Sequence, residues 1–341
     1  MTTFGQLGFI TRYNYFECGF GPYRKFAKYL ANLMDLRPGE SVIDIGCGSG
    51  DSTRVIWEKQ SKLKEVVGID KSGMSIEVAK TKFGYPNKEL LNSMLTEELY
   101  PPEISYRLKK RDFKRYFSDF IGSMYPYSEK TKFITTDISS MNEKIRKNLG
   151  WHQFKHGFGN QVLHWPRKEP GGSIPNLEYE GRCFEEIAKS LESHGWLGFN
   201  TTGADFEFDE SGWNDKHILE HPAYKTFYNQ IGRKIGKPEL GLKREYTFNK
   251  SDIERVLAEN GFRLDKSDKM ELKLPREQFI EICLMGAHMQ IFEKEQLQIP
   301  FEKKQELILN ALQYTLEKEK KEIEHRSIIE TGAHFVAKKV V

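Results

Sequence analysis

The chain has 341 residues, 38% of them hydrophobic and 30% charged, and its 52 lysines and arginines stand against 49 aspartates and glutamates for a formal net charge of +3. That is enough apolar material for a large core and too little for a membrane protein, and the balanced charge leaves no global field to draw in nucleic acid or an anionic membrane. The length exceeds the ~100–200 residues of an ordinary single domain, so a main domain plus a cap is expected.

The start, MTTFGQLGFITRYNYFECGF, lacks a cationic region followed by a long apolar run, and nowhere do ~18 uncharged apolar residues occur together. A cytoplasmic protein without membrane insertion is therefore expected. "SVIDIG", residues 41–46, is a β-branched run closed by glycine, as a buried parallel strand requires. A helix follows from Ser49 or Asp51, with Val55, Ile56 and Trp57 on its apolar face. "KEVVGID" (64–70) repeats the apolar strand ending in an acid, "SGMSIEVAKTKF" (72–83) is the next helix, and "TKFITTD" (131–137) is a third strand. Residues 151–165 hold a fourth strand, 176–194 a helix, and "GWLGFNTT" (195–202) a fifth strand. A helix stopped by Gly261, then "FRLDKSDKMELKL" and the terminal "TGAHFVAKKVV", supply two more strands. This alternation predicts an α/β fold: a Rossmann-like, doubly wound seven-strand sheet with helical cap insertions. The expected organisation is an N-terminal helical segment over residues 1–40, an α/β core over 41–202 with an insertion at about 84–130, and cap helices plus completion of the sheet over 203–341.

The four cysteines, Cys18, Cys47, Cys183 and Cys283, are too scattered for a C-x-x-C metal site and too few for a disulfide framework. The histidines His152, His156 and His164 have no nearby carboxylates or thiols in sequence, so no metal site is expected.

In "DIGCGSG" the glycines fall as G-x-G-x-G at the carboxyl end of a strand, where α/β sheets bind ligands and where a missing Cβ lets a ligand approach the backbone. A dinucleotide loop spaces its glycines G-x-G-x-x-G, and a phosphate loop ends in G-K-[ST]; neither is present. Asp44, two residues before the first glycine, is poorly placed beside a diphosphate but suits a cationic cofactor. Asp70 closes the second strand, where a carboxylate can hold both hydroxyls of a ribose. Taken together, "VIDIGCGSG", "VVGIDKS" and "FITTDIS" resemble the first three motifs of the class I S-adenosylmethionine-dependent methyltransferases, over about residues 40–202 in order. The resemblance implies S-adenosylmethionine as cofactor. It places the backbone of Gly46, Cys47, Gly48 and Gly50 against the methionine part, Asp70 at the ribose, and Asp137 and Ile138 at the adenine, with Asp44, Lys71, Asn160, Tyr15 and Arg24 completing the site. Asp137 taken alone also reads as a helix cap, because "DISS" precedes a helix.

"GFGNQVLHWPR" (157–167) stands where this family has its fourth strand and catalytic loop. Amino-methylating DNA enzymes carry [DNS]-P-P-[YFW] there, whereas this chain has Asn160-Gln161-Val162-Leu163, which speaks against DNA as a partner. The "LHW" ending is similar to juvenile hormone acid, trans-aconitate and malonyl-carrier-protein methyltransferases, which esterify carboxylates. That likeness implies Trp165 in the acceptor pocket and a small, amphipathic substrate. A carboxylate is nucleophilic without a base; His164 would serve a hydroxyl or amine instead, or simply pack beside Trp165.

"RLKKRDFKRYF" (107–117) mixes cations and aromatics as a nucleic-acid surface does, but its basic residues follow helical spacing, so the solvated face of an amphipathic helix accounts for them. A protein or RNA substrate on the Arg107–Arg115 face is the competing reading. "ICLMGAHM" (282–289) reads as core or as a substrate wall. Ile308, Leu309, Leu312 and Leu316 lie on one helical stripe. The sequence leaves the oligomeric state open, a homodimer included.

Overall fold

A computed structural model describes residues 10–11, 13–14, 21–85, 87–96, 110–150, 152–161, 177–202, 222–236, 249–274, 299, 301–325 and 328–340. Seven strands form one sheet: β1 (Ser41–Ile45), β2 (Glu65–Asp70), β3 (Thr131–Thr135), β4 (Phe154–Gly159), β5 (Leu191–Thr202), β6 (Phe262–Leu274) and β7 (Ile328–Lys339). Their order is β3-β2-β1-β4-β5-β7-β6. The first five pair in parallel, with Ile45 opposite Ile69, Asp70 opposite Thr135, Asp44 opposite Phe158 and Gly157 opposite Leu197. The chain steps outward from β1 to β2 and β3, then returns to β1's other side with β4, so the order reverses between β1 and β4. Crevices for ligands open at such a reversal, beyond the carboxyl ends of the strands.

The helices that position this edge are α1 (Pro22–Leu33), α2 (Asp51–Lys59), α3 (Gly73–Lys82), α4 (Lys88–Thr96), α5 (Lys110–Met124), α6 (Met141–Leu149) and α7 (Leu177–Ser190). Pro22 opens α1 behind Gly21, which takes φ 54°. One apolar cluster joins Leu30 of α1, Met34 just past its end, Val55, Ile56 and Trp57 of α2, Val42, Val66, Phe83 and Phe158. Burying each such side chain contributes roughly 1.5–3 kcal/mol. Trp57 stacks on Tyr127 with ring centres 4.6 Å apart and donates from Nε1 to Thr131 Oγ1 at 2.9 Å.

The chain divides into two compact units, one of Met1–Thr201, Lys250–Met270 and Gly332–Val341, the other of Thr202–Asn249 and Glu271–Thr331. Within the second, α8 (Pro222–Lys234) packs on α10 (Phe301–Lys318). Their buried faces carry Phe227, Tyr228 and Ile231 against Ile308, Ala311 and Leu312. Leu309 and Leu316, expected on the same stripe, are half-buried. Helix α9 (Lys250–Glu259) ends at Gly261, φ 76°, as anticipated.

Two expectations change. The helix read over 176–194 stops at Ser190, and residues 191–194 join β5. His194 takes φ 59°, and the β4–β5 register slips between Phe154 and His156, so this stretch bulges out of the ladder instead of extending the helix. Two of the three histidines also have carboxylates beside them: His152 Nε2 lies 2.8 Å from Glu65 and His156 Nε2 2.7 Å from Glu40. One acid is in β2 and the other directly precedes β1, so local spacing could not reveal them. No group of three metal-binding side chains occurs among the described residues. None of the described helices is long and apolar enough to cross a membrane.

Candidate functional site

Where β1 ends, Gly46, Gly48 and Gly50 take φ 67°, 53° and 87°, the left-handed region that penalises an L side chain. Their reasons differ beyond that shared need. A Cβ on Gly48 would meet nothing within 4 Å, whereas one on Gly50 would come 3.1 Å from Phe83 and 3.3 Å from Ala79. Gly50 is therefore glycine for close packing of the loop on α3, and Gly48 faces open space. The sequence reading gave all three to the ligand; Gly50 has in addition a packing reason that the glycine spacing alone does not reveal. Cys47 spends its backbone inside the loop, with its N–H on Ile69 O and its carbonyl accepting from Gly50 N, both at 2.9 Å. Its thiol is buried, and burial, with Asp44 and Asp70 nearby, pushes its pKa well up. The same thiol lies 2.9 Å from where a Cβ on Gly68 would stand.

Asp70 grips the loop from the end of β2. Its Oδ2 accepts from Gly48 N at 3.0 Å and its Oδ1 from Ser72 N at 2.8 Å. Burial raises its pKa, against the pull of those two amides and of Lys71, which is itself exposed. Each oxygen accepts one bond here and has capacity for another.

Asp44 is wholly buried under the loop. Its Oδ2 accepts from Ser52 Oγ at 2.7 Å and Thr53 Oγ1 at 2.5 Å, while Oδ1 has no hydrogen-bond partner. Burial lifts its pKa to about 7 despite the two hydroxyls, and the charge of Asp70 adds to the rise. Asp137 caps the 3₁₀ turn Ile138–Ser140 as the local pattern anticipated. Three donors converge on its Oδ1: Ser139 N at 2.9 Å, Ser139 Oγ at 2.8 Å and Tyr179 OH at 2.7 Å. These bonds hold the carboxyl below its usual range although burial acts the other way, and they push the Tyr179 phenol further up from where burial has already put it.

Asn160, at the end of β4, donates to Tyr23 O at 3.2 Å, and Tyr23 stacks on Tyr13 with ring centres 5.5 Å apart. Arg24 follows on the first turn of α1, half-buried. Asp44, the glycine loop, Asp70 with Lys71, Asp137 with Ile138, and Asn160 thus share one edge of the sheet, at or just past the carboxyl ends of β1, β2, β3 and β4. Tyr15, His164, Trp165, Arg107 and the 282–289 stretch lie outside the described residues. His152 and His156 lie towards the opposite end of β4. A cavity of about 340 Å³ opens there too, lined among others by Arg146, His152, Lys189 and Lys339. Its two lysines are already engaged, Lys339 on the carbonyls of Ala188 and Leu191 at 2.8 Å and Lys189 on Glu185 at 2.7 Å.

A buried polar cluster beside the loop escaped the sequence reading. Lys82, fully buried, donates to Asp51 Oδ2 at 2.9 Å, and Tyr116 OH donates to Asp51 Oδ1 at 2.7 Å. Ser49 Oγ lies 3.0 Å from Asp51 Oδ2 and 3.3 Å from Asn14 Oδ1. Burial would raise the Asp51 carboxyl, but Lys82, Tyr116 and Ser49 together bring it below its usual value. The Lys82 ammonium also sits 4.5 Å over the Phe120 ring. Tyr116, Phe117 and Phe120 turn inward from α5, with Phe117 and Phe120 buried, while Lys114 and Arg115 are exposed. The basic segment is thus an amphipathic helix wherever its side chains are described.

Residues 36–91 match the family described as Methyltransferase domain. That stretch runs from just before β1 through the glycine loop, β2 and α3 into α4. An uncharacterized 37.1 kDa protein in transposon TN4556 of Streptomyces fradiae is 34% identical over 59 residues, so the chain spans about 17% of the length of that curated relative, and the match takes 17% of this chain. Among solved structures, a putative methyltransferase from Bacillus halodurans C-125 aligns at TM-score 0.45 and 15% identity over 92% of this chain and 99% of that one. The cyclopropane synthase MmaA2 from Mycobacterium tuberculosis aligns at 0.46 and 14%, over 92% and 83%. A phosphoethanolamine N-methyltransferase 2 from Haemonchus contortus, in complex with phosphomonomethylethanolamine and S-adenosylhomocysteine, aligns at 0.40 and 14%, over 94% and 53%.

Proposed function

We propose that the chain is an enzyme that transfers a methyl group from S-adenosylmethionine to a small organic acceptor, an oxygen of a carboxylate first among acceptor atoms. The observation that carries this reading is the open backbone face at Gly48, bounded by Asp70 and underlain by the unpartnered Oδ1 of Asp44. A missing Cβ, an acceptor pair at the end of β2 and a buried carboxylate fit an adenosyl sulfonium that carries an ammonium group. The match of residues 36–91 to a methyltransferase domain supports the same reading.

The bound cofactor supplies an electrophilic methyl group on a positively charged sulfur. The chain's own residues do the rest. Asp70 keeps lone pairs for the ribose hydroxyls while its amide bonds brace the loop, and Asp137 with Ile138 borders the adenine. Asp44 contributes negative charge beneath a cationic ligand, which a low-dielectric setting strengthens. Transfer to a carboxylate needs no proton acceptor and rests on orientation and exclusion of water. Trp165 is proposed as an acceptor wall, and His164 as the base should the acceptor be a hydroxyl or amine. Tyr15 and Arg24 are proposed at the methionine end, and the cell's cytoplasm as the setting. The inward turn of Tyr116, Phe117 and Phe120 gives residues 114–120 a structural purpose, and no described feature favours a protein or RNA substrate.

Calorimetry should show S-adenosylmethionine and S-adenosylhomocysteine binding one site, and labelled methyl should pass into a single compound of a metabolite extract. Absence of binding by both ligands would sink the proposal. A sharper test is Gly48→Ala. The φ of 53° limits its cost to roughly 1–2 kcal/mol of stability because no neighbour opposes the new Cβ, yet the methyl occupies the ligand's face. Affinity for S-adenosylhomocysteine should fall at least about tenfold, as a loss near 1.4 kcal/mol requires. Unchanged affinity would remove Gly48 from the site.

A further inference from the structure

Gln161, the residue after Asn160, takes φ 59°; among the described residues only His194 also does so without being glycine. Backbone held this way by a non-glycine residue needs its surroundings to enforce it, and such positions concentrate at functional sites. The enforcing group is Asn200, fully buried near the end of β5. Its Oδ1 accepts from Gln161 N at 2.8 Å and Gln161 Nε2 at 3.2 Å. Its Nδ2 donates to Asn160 Oδ1 at 2.9 Å and to Phe26 O at 3.4 Å, and Asn160 passes the polarity on through Nδ2 to Tyr23 O.

The sense of this relay is fixed by chemistry. A backbone N–H only donates, so the oxygen of Asn200 must face Gln161 and its NH₂ must face Asn160 and α1. Aspartate at 200 could still accept from Gln161 but would set an oxygen against Asn160 Oδ1. Phe26 O also takes His334 Nε2 at 3.2 Å, so it keeps a partner if Asn200 is lost.

We propose that Asn200 is a positioning residue for methyl transfer: it holds Gln161 left-handed just past the end of β4, immediately before the stretch of sequence proposed for the acceptor. His164 and Trp165 follow Gln161 by three and four positions. This rests on the methyl-transfer reading above, and it differs from that reading in what it requires of the variants.

The test is a double-mutant cycle of N200A and Q161G in the full chain, with N200D beside it. N200A and N200D should lower the thermal midpoint by a few degrees (~3–6 °C). They should cut methyl transfer from labelled S-adenosylmethionine into a metabolite extract at least about tenfold, a loss near 1.4 kcal/mol of activation free energy. Affinity for S-adenosylhomocysteine by calorimetry should stay within about threefold, under 1 kcal/mol. Glycine adopts positive φ without cost, so Q161G should restore at least half of both losses in N200A while changing the wild-type midpoint little. Additive effects of Q161G in the two backgrounds, or cofactor affinity falling in step with transfer, would overturn the proposal. Where no extract compound is methylated, additive thermal effects still overturn it, and a wild-type chain that binds neither cofactor refutes the underlying reading alone. Should N200A not fold, N200S carries the same comparison.

Discussion

Replacing Asp44 by asparagine should stabilise the ligand-free protein at pH 8 and weaken its hold on S-adenosylmethionine. Burial sets the folded pKa of this carboxyl at about 7. The unfolded value is about 3.9. Between these limits the folded state keeps a proton that the unfolded state has released, so the contribution of Asp44 is fully present below about pH 4 and is lost as pH rises through about 7. The span corresponds to about 4 kcal/mol at most. Asparagine accepts from Ser52 and Thr53 as the carboxyl does and carries no charge to desolvate, so D44N avoids the loss. Urea unfolding should place the variant near wild type at pH 4 and above it at pH 8. A cationic ligand gains from the ionised carboxylate, so binding at pH 6 should release protons, visible as a buffer-dependent enthalpy. The affinity of D44N for S-adenosylmethionine should fall about 10- to 100-fold, the usual weight of a charge-assisted contact. S-adenosylhomocysteine, without the sulfonium charge, should lose less. A variant neither more stable at pH 8 nor weaker in binding would show that Asp44 serves only to anchor the hydroxyls of Ser52 and Thr53.

The core of this fold was legible because parallel strands covered on both faces must be apolar along their whole length. Val42, Ile43 and Ile45 in β1 and Val66, Val67 and Ile69 in β2 are all buried, and each run stops at a glycine or an acid. The order of β7 between β5 and β6 had no such local signature; pairing of the last strand is decided by contacts far apart in the chain. The site divides in the same way. Asp44, Asp70 and the glycine spacing were readable because each stands at or near the end of an apolar strand run. The separate purposes of Gly48 and Gly50 were not, since Phe83 and Ala79 belong to another helix. Asn200 carried a faint signal as an amide inside the apolar run "GWLGFNTT". Lys82 carried none: a lysine in the last turn of a helix reads as solvated and as a partner for the helix dipole. Only the arrival of Asp51 and α5 turns it inward.

That buried lysine should give the largest single loss of stability in the protein. Lys82→Met keeps the stem and its packing on Phe117 and Phe120 but removes the ammonium from Asp51, whose side chain is 7% exposed. Tyr116 OH and Ser49 Oγ remain, yet neither neutralises the charge. Breaking one side of a buried pair costs about 3–5 kcal/mol, because the other side stays desolvated without compensation. The Asp51 pKa, now held low, should rise in the variant, so the stability that ionised Asp51 confers above about pH 4 in the wild type is forfeited. Removing both charges restores balance, and D51N/K82M should recover most of the loss, a coupling typical of groups in direct contact. Denaturant midpoints for the two single variants and the double decide this. A K82M loss under about 1 kcal/mol would mean water reaches the pair. The consequence reaches the site through Ser49, which stands between Gly48 and Gly50 and bonds into the cluster. Loosening Asp51 frees the outer wall of the glycine loop, so S-adenosylhomocysteine affinity should fall in K82M and return in D51N/K82M, in parallel with stability.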